Sequence, residues 1–332
     1  MSENCETTRV RVSVVTAAYN AEAFIAEAVE SVTAQSGFER GEVEHLVIDD
    51  GSSDGTASLL ESLARPGLRV LRHEGGVNRG VAASRWLGVE AARGEWLALL
   101  DADDVYLPDR LTTQLQKVDG VGEDIILVHG AAEPFGSDIE TCENFRRMFR
   151  KAGRGKPERV YKPLDEPGFL RHNVICASSV LIRRHIALRS MRPHPQVFQV
   201  EDWIAWTLAA ECSGRFLYLD QPAVRYRMHE ASATSRVIES GVWDLHSQLE
   251  HGLTLMAVGS EALKRRVSGR VMELMFRLSK VYGGDRFEAS AGDAFLIGDQ
   301  ADSAEVARLR ERVHLLERRL SLWRRLKRVV GR

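Results

Sequence analysis

The first hundred residues alternate between short apolar runs and longer segments in which apolar residues recur every three or four positions. The runs are rich in β-branched residues and end in small or turn-forming residues, as strands do. The segments between them have helical spacing, and in the first of them Ile25, Val29 and Val32 share one face. The pattern predicts strands over 10–20, 43–48, 68–74 and 94–104, and helices over 21–35, from about 56, and over 80–92.

The alternation loosens after residue 120. The region 136–168 is rich in Gly, Lys, Arg and Pro, which predicts an irregular insertion that is able to close over a ligand. Residues 281–303, which include Gly283, Gly284 and Gly292, are typical of a connector. We expect strands over 125–136 and 176–188, the insertion over 136–168, a loop and helix over 197–214, a strand and polar loop over 215–234, and helices over 238–280.

Strands that alternate with helices over units of about 30 residues indicate a mostly parallel sheet flanked by helices, an α/β fold. Acidic residues follow two of the strands: Asp49 and Asp50 end the second, and the fourth runs into Asp101, Asp103 and Asp104. The carboxyl ends of parallel strands share one edge, where ligands bind. Because carboxylates so close together repel one another, the cluster favours a divalent cation, Mg²⁺ or Mn²⁺. The alternative is that these aspartates cap the next helix or are solvated.

Composition adds an asymmetry of charge. The 332 residues have a formal net charge of -2, but residues 304–332 hold ten Arg or Lys against three Glu, about +7, which leaves about −9 elsewhere. The four cysteines lie far apart without metal-ligand spacing, so we expect no zinc site and a reducing compartment. No leader or apolar run of spanning length is evident, which predicts a cytoplasmic protein.

Six segments in order, over about residues 10–236, are similar to the nucleotide-sugar glycosyltransferases of family 2, the inverting GT-A type. The resemblance implies a GT-A domain over 1–236, with a nucleotide-binding half at 10–120 and an acceptor-side half at 121–236. A helical extension and connector then occupy 237–303. The matching segments are "VSVVTAAYNAEAFIAEAVESVTAQ", "HLVIDDGSSDGT", "NRGVAASRWLG", "EWLALLDADDVYLPDRL", "VEDW" and "YRMHEASAT".

The resemblance also assigns the donor-binding positions. It implies that Ala17 and Tyr19 line the nucleotide base, that Asp50 hydrogen-bonds the base, and that Asp49 supports the same loop. It implies that Asp101 meets the ribose or a metal-bound water. The cationic positions facing the nucleotide are Arg79 and Arg85, with Arg227 near the diphosphate. The family often has Asn after the second of these arginines, where this chain has Trp86.

The remaining positions concern the cation and the chemistry. The resemblance implies that Asp103, in the DXD motif, is the direct ligand of Mn²⁺ or Mg²⁺, that His229 approaches the metal, and that Asp202 is the catalytic base. Sugar transfer builds negative charge on the diphosphate and takes a proton from the acceptor hydroxyl, so it needs a cation and a carboxylate base. Alone, Asp202 is also typical of a helix cap, and His229 of a surface histidine.

We therefore expect an inverting, metal-dependent glycosyltransferase that moves a single sugar from a nucleoside diphosphate sugar, UDP favoured, to a glycan or lipid-linked acceptor in cell-surface polysaccharide synthesis. Two alternatives stay open: a catalytically silent scaffold recruited through its tail, and a sugar nucleotidyltransferase. The second is disfavoured because the loop after the first strand, "TAAYNAEA", has no glycine. A nicotinamide-dependent enzyme is disfavoured because no GxGxxG follows that strand.

The tail over 304–332 forms a basic amphipathic pattern. Its apolar residues recur at alternating steps of three and four, which predicts a short coiled coil and a homodimer. A basic helix that contains a tryptophan also suits peripheral contact with the inner face of the cell membrane. Nucleic acid is not expected as a partner, because the body is acidic and has no recognised binding module. The repeating positions are Val306, Leu309, Val313, Leu316, Leu320 and Trp323.

Overall fold

The computed structural model describes residues 9–136, 139–166, 168–194, 200–212, 214–229 and 243–281. Its nine strands are β1 (Val12–Ala18), β2 (Val43–Asp49), β3 (Leu68–Arg72), β4 (Trp96–Leu99), β5 (Val105–Tyr106), β6 (Ile125–Gly136), β7 (Glu158–Tyr161), β8 (Leu181–Arg183) and β9 (Arg215–Met228). The helices within these ranges are α1 (Ile25–Thr33), α2 (Thr56–Ser62), α3 (Val81–Ala91), α4 (Arg110–Val121), α5 (Ile139–Arg150), α6 (Arg184–Ser190), α7 (Glu201–Ala210), α8 (Trp243–Val258) and α9 (Glu261–Val281).

The strands form one mixed sheet in the order β3-β2-β1-β4-β8-β6-β9-β5, with β7 paired to β9. The four strands predicted in the first hundred residues pair in parallel, as expected. Strands β1, β2 and β4 are buried on both faces, which explains their largely apolar character, whereas the edge strand β3 is partly exposed. Val15 and Leu97 belong to the core under α3, α6 and α7, while Val14 and Ala98 belong to the core under α1, α4 and α5.

The second half of the sheet brings in antiparallel pairs. Strand β8 runs antiparallel to both β4 and β6, while β6 and β9 pair in parallel. The predicted strand over 176–188 is correct only at β8, because the chain turns into α6 at Arg184. The segment 136–168 is more regular than predicted, since it contains α5 and β7. Helix α5 forms because Phe145 and Phe149 pack against Tyr226 of β9.

The chain divides into two compact units, residues 1–261 and 262–332. The first contains the sheet and α1 to α8. In the second, the described part of the chain is a single helix, α9, whose Leu263, Val267, Val271 and Leu274 recur at helical spacing. No described helix has the length and apolar character needed to cross a bilayer. The predicted connector and the basic tail over 304–332 lie outside the described residues.

Candidate active site

The predicted acidic residues meet at one edge of the sheet because β1, β2 and β4 are parallel and in register. Ala18 at the end of β1 lies opposite Asp49 at the end of β2. The loop after β1 carries Tyr19, whose side chain is 53% exposed, and Ala17 lies just before it at the edge. Chain reversal in this loop places Asn20 in the left-handed region, at φ 49°. The parallel register thus brings these loops together at one edge.

Loops 19–22 and 52–56 are tied together by hydrogen bonds. The backbone N–H of Ser53 donates to the Asn20 amide oxygen at 2.8 Å, and the N–H of Ala21 donates to the Thr56 hydroxyl, also at 2.8 Å. The N–H of Gly55 donates to the Glu22 carboxylate at 2.9 Å. The "SSDGT" segment is therefore a clamp on the first loop, which explains its small and polar composition.

Asp49 and Asp50 organise a second pair of loops. Both are 3% exposed. Asp50 accepts the backbone N–H groups of Arg79 and Gly80 at 2.7 and 2.8 Å, whereas Asp49 accepts the N–H of Ser52 at 3.0 Å. Both carboxylates thus position backbone, and the role predicted for Asp49 in donor binding stays a prediction. The contacts predicted for Asp50 and Arg79 with the nucleotide stay predictions, and the Arg79 side chain is exposed to solvent at this edge.

Glycine is required between these loops. Gly51 has φ +74°, and a Cβ built on it lies 2.7 Å from the carbonyl oxygen of Gly76. At this distance the neighbouring backbone leaves no room for a Cβ atom. The left-handed conformation also strains any residue other than glycine. The glycine therefore allows residues 49–51 and 76–78 to pack in direct contact.

Arg85 forms an unexpected bridge across the edge. Its side chain is 8% exposed; one terminal nitrogen donates to Asp101 and the other to Glu201 at 2.7 Å. Asp101 is held in turn by its own backbone N–H, which donates to the Ser178 hydroxyl at 3.0 Å. Arg85 therefore links the acids after β4 to the first turn of α7. Its predicted role at the nucleotide stays a prediction, and the structure gives the guanidinium two carboxylate partners.

Burial and ion pairing act in opposite directions on the charged groups of this bridge. Burial disfavours the charged guanidinium, but Asp101, Glu201 and Asp202 outweigh it and raise the pKa of Arg85 above its usual value. Burial raises the pKa of Glu201 to about 7, although Arg85 opposes the shift. Burial likewise raises the pKa of Asp202, again opposed by Arg85. The bridge therefore stabilises the charged forms of carboxylates that burial would neutralise.

A second cluster joins the acids after β4 to the end of β9. The imidazole Nε2 of His229 lies 3.0 Å from the Asp103 carboxylate. Arg227 donates from Nε to the backbone oxygen of Asp103 at 2.7 Å, and its backbone N–H donates to Asp104 at 2.8 Å. Asp104 therefore anchors β9, while the helix it was expected to cap begins after Asp109. The sequence predicted that Asp103, Arg227 and His229 act together, and the structure brings them into contact.

The Asp103–His229 pair has the chemistry of a divalent-cation site. Carboxylate oxygen and imidazole nitrogen both suit Mn²⁺, and the two side chains keep 30% and 26% of their surface exposed, so ligand has access. Within the described ranges, no three His, Cys, Asp or Glu side chains converge as a closed cage. One carboxylate and one imidazole suit a cation whose remaining positions are filled by phosphate oxygens.

Asp202 lies in the first turn of α7, where carboxylates are favoured by the helix dipole. One carboxylate oxygen accepts the N–H of Trp203 at 2.6 Å, and the other accepts the side-chain amide of Asn173 at 2.8 Å. The Trp203 indole N–H donates to the Phe169 carbonyl at 3.0 Å, which fixes α7 against residues 169–175. Asp202 is therefore a first-turn carboxylate held by two hydrogen bonds, whereas the N-cap of α7 is Val200. Its predicted role as the catalytic base stays a prediction.

Sequence reasoning missed three residues of the site: Asn173, Ser178 and Glu201 as an ion-pair partner. Glu201 was visible beside Asp202, but its partner Arg85 lies 116 residues earlier in the chain. Asn173 lies in an irregular stretch, and Ser178 lies in a short 3₁₀ helix, Ala177–Ser179, where the sequence predicted a strand. Only the antiparallel insertion of β8 beside β4 brings that stretch to the sheet edge.

Comparison with known proteins gives consistent results. The model of the family described as "Glycosyl transferase family 2" matches residues 13–186. The chain is 30% identical over 263 residues to the succinoglycan biosynthesis protein ExoO of Rhizobium meliloti, covering 77% of this chain and 68% of that protein. It is 35% identical over 242 residues to the putative glycosyltransferase EpsH of Bacillus subtilis, covering 70% of this chain and 66% of that protein.

Solved structures resemble the fold. Residues 1–349 of S. aureus TarS, in complex with UDP-GlcNAc, align with a TM-score of 0.61 at 19% identity, over 86% of this chain and 81% of that chain. The mannosyltransferase PcManGT from Pyrobaculum calidifontis, in complex with GDP-Man and Mn²⁺, aligns with a TM-score of 0.51 at 15% identity, over 83% and 84%. At such identities the likeness concerns the fold alone.

Proposed function

Because the chain belongs to glycosyltransferase family 2 and has the GT-A fold, we propose that it moves a single sugar, with inversion, from a nucleoside diphosphate sugar to a glycan or lipid-linked acceptor. We propose UDP as the donor nucleotide and Mn²⁺ or Mg²⁺ as the cation. The names of the relatives, which include a succinoglycan biosynthesis protein, support a place in cell-surface polysaccharide synthesis.

The main support is that the proposed cation ligands, Asp103 and His229, and the proposed base, Asp202, lie next to opposite ends of the Asp101–Arg85–Glu201 bridge. Asp103 contacts His229 on one side. Two residues away Asp101 pairs with Arg85, which reaches Glu201, the neighbour of Asp202. A nucleotide-sugar transferase needs these two functions at one edge, because the diphosphate leaves on one side of the anomeric carbon while the acceptor attacks from the other.

On the donor side, we propose that Ala17 and Tyr19 line the base, with Asp49 and Asp50 holding the loops around it. Tyr19 presents an exposed ring on which a base can stack. Arg79 has an exposed side chain beside the backbone that Asp50 holds. We propose that Arg79 faces the nucleotide, and that Asp101 acts at the ribose through the position that Arg85 gives it.

On the leaving-group side, we propose that Asp103 and His229 hold the cation, which neutralises charge developing on the diphosphate when bound. Arg227 contributes a fixed positive charge beside them. Its guanidinium packs 5.0 Å from the ring centroid of Phe24 and pairs with Glu27. Because these contacts already order the Arg227 side chain, little further conformational entropy is lost when a diphosphate binds beside it.

On the acceptor side, we propose Asp202 as the general base that takes the proton of the attacking hydroxyl. Its two oxygens each accept one hydrogen bond, so each keeps a lone pair for the incoming proton. The acceptor hydroxyl gives its proton to this single base and attacks the anomeric carbon from the face opposite the diphosphate, which leaves, so the configuration is inverted. We propose that the protein acts in the cytoplasm, with the tail forming a dimer or contacting the inner face of the membrane.

A thermal-shift screen against UDP, GDP, dTDP and CMP, with and without Mn²⁺, tests the donor proposal. A ligand at about 100 times its Kd stabilises the folded state by about 2.7 kcal/mol. We expect a manganese-dependent rise in Tm with UDP that Asp103→Ala abolishes. The matched control is Asp165→Ala, an exposed aspartate on a short 3₁₀ turn. No shift with any nucleotide, or an equal shift in the Asp103→Ala variant, contradicts the proposal.

A further inference from the structure

We infer that Asn173 is a positioning residue for the Asp202 carboxylate: its side-chain amide selects the orientation and the charged form of the base. The inference rests on the proposed function, since it concerns the residue proposed there as the base. It begins from one contact, in which Asn173 Nδ2 donates to Asp202 Oδ2 at 2.8 Å.

The orientation of the Asn173 amide is determined by its other partner. The backbone N–H of Ile175 donates to Asn173 Oδ1 at 3.2 Å. A backbone N–H needs an acceptor, so the amide oxygen must face Ile175 and the amide N–H must face Asp202. The geometry therefore presents a hydrogen-bond donor to the carboxylate, and a donor stabilises the ionised form.

The segment that carries Asn173 is fixed to the same helix turn as Asp202. Trp203, the next residue after Asp202, donates its indole N–H to the carbonyl of Phe169, and its ring stacks on His251 with centroids 3.7 Å apart. These contacts hold the backbone of the turn. They leave the Asp202 side-chain torsions free, and those torsions are set by the bonds to the carboxylate itself. Asn173 is the described side chain that donates to it.

Several charged groups surround Asp202, and they act differently from Asn173. Arg85 favours the ionised carboxylate through space, while Asp101 opposes it. Asp202 also lines a cavity to which the segment after α6 contributes Arg192 and His194. Asn173 is neutral and directional, so its loss changes both the position and the proton affinity of Asp202. The charged and titratable neighbours are Arg85, Asp101, Arg192, His194 and Glu201.

The test is the titration of Asp202 itself, followed by the ¹³C shift of its carboxyl carbon in the full chain labelled at aspartate. The Asp202 signal is assigned by its disappearance in Asp202→Asn. In Asn173→Ala the titration midpoint is expected to rise by about one pH unit, because a charge-assisted bond is lost. In Asn173→Asp, which keeps the shape but replaces the donor with a like charge, a larger rise is expected. Asn144→Ala, on the exposed side of α5, is the matched control and leaves the midpoint unchanged.

A second measurement separates positioning from folding. In Asn173→Ala, the kcat of donor hydrolysis, with water as the acceptor, is expected to fall about tenfold with little change in donor KM. The acidic limb of the pH–rate profile is expected to move to higher pH. An unchanged Asp202 midpoint in both Asn173 variants overturns the inference, as does unfolding of both variants. Because the titration needs no nucleotide, it still decides the role of Asn173 if no donor binds. Failure of nucleotide binding instead counts against the proposed function.

Discussion

Replacing Arg85 by methionine tests whether this buried arginine holds the two sides of the site together. The side chain is 8% exposed and pairs with Asp101 and Glu201, which are 34% and 18% exposed. Methionine keeps much of the aliphatic stem and removes the charge, so two carboxylates lose their partner. Removing one member of a buried ion pair costs roughly 3–5 kcal/mol. Because Asp101 is partly open to water, we expect the lower end of that range.

The cost is expected to depend on pH. Burial, opposed by Arg85, gives Glu201 a pKa of about 7 in the native protein, compared with 4.5 ordinarily. Loss of Arg85 raises that pKa further. At lower pH Glu201 is protonated in both wild type and Arg85→Met, so it adds nothing to the difference in their free energies of unfolding. As pH rises through the native pKa, only the variant has to retain a proton or bury an unpaired charge, so its deficit grows.

Urea denaturation at about pH 6 and about pH 8.5 measures the effect, and the account predicts the larger deficit at the higher pH. A loss of about 3 kcal/mol corresponds to a fall in Tm of roughly 6–12 °C. Arg85→Met combined with Glu201→Gln is the matched control, because glutamine removes the charge that lost its partner and is expected to recover part of the stability. A loss of stability below about 1 kcal/mol that does not change with pH, together with no recovery in the double variant, contradicts the bridging role of Arg85.

Three further predictions concern stability. Gly51→Ala is expected to unfold at lower urea, by about 1–3 kcal/mol, since its Cβ lies 2.7 Å from the Gly76 oxygen at φ +74°; Gly120→Ala, with open space around it, is the control. Asp50→Ala leaves two backbone N–H groups without their acceptor and is expected to cost about 2–4 kcal/mol in the same assay; an unchanged midpoint contradicts this role. Burial lowers the pKa of His129 to about 3, so below about pH 6.5 only the unfolded state binds that proton. His129→Gln is expected to weaken the acid loss of stability by about 1.4 kcal/mol per pH unit, and an identical slope in both proteins contradicts it.

The parallel half of the fold is predictable because its signals are local. β1 to β4 are short apolar runs with helical segments between them, and the acids at their ends follow from the rule that parallel strands share a carboxyl edge. β5 is only two residues long, Val105–Tyr106, and pairs with β9, which is distant in the sequence, so no local pattern predicts it. The switch from β8 to α6 at Arg184 is also hidden, because an apolar run fits both.

The site also contains residues that could be predicted from the sequence and residues that could not. Asp103, Arg227 and His229 could be placed together because their motifs are distinctive, although their contact spans more than 120 residues. The partners of Arg85 could not, since a charged residue in a helix is ordinarily solvated and burial is a property of the folded chain. Asn173 was missed for a similar reason, because its role arises from one hydrogen bond across 29 residues.

Asp103 and Asp202 are proposed to have separate roles, Asp103 in donor binding and Asp202 in the chemical step. The most direct test measures UDP binding by calorimetry with Mn²⁺, and UDP release from UDP-sugars, on the same preparations of wild type, Asp103→Ala and Asp202→Asn. We expect Asp103→Ala to lose manganese-dependent UDP binding. We expect Asp202→Asn to bind UDP like wild type but to form UDP from UDP-sugars about 10²–10⁴ times more slowly. Equal loss of binding in both variants, or unchanged release in Asp202→Asn, contradicts these separate roles.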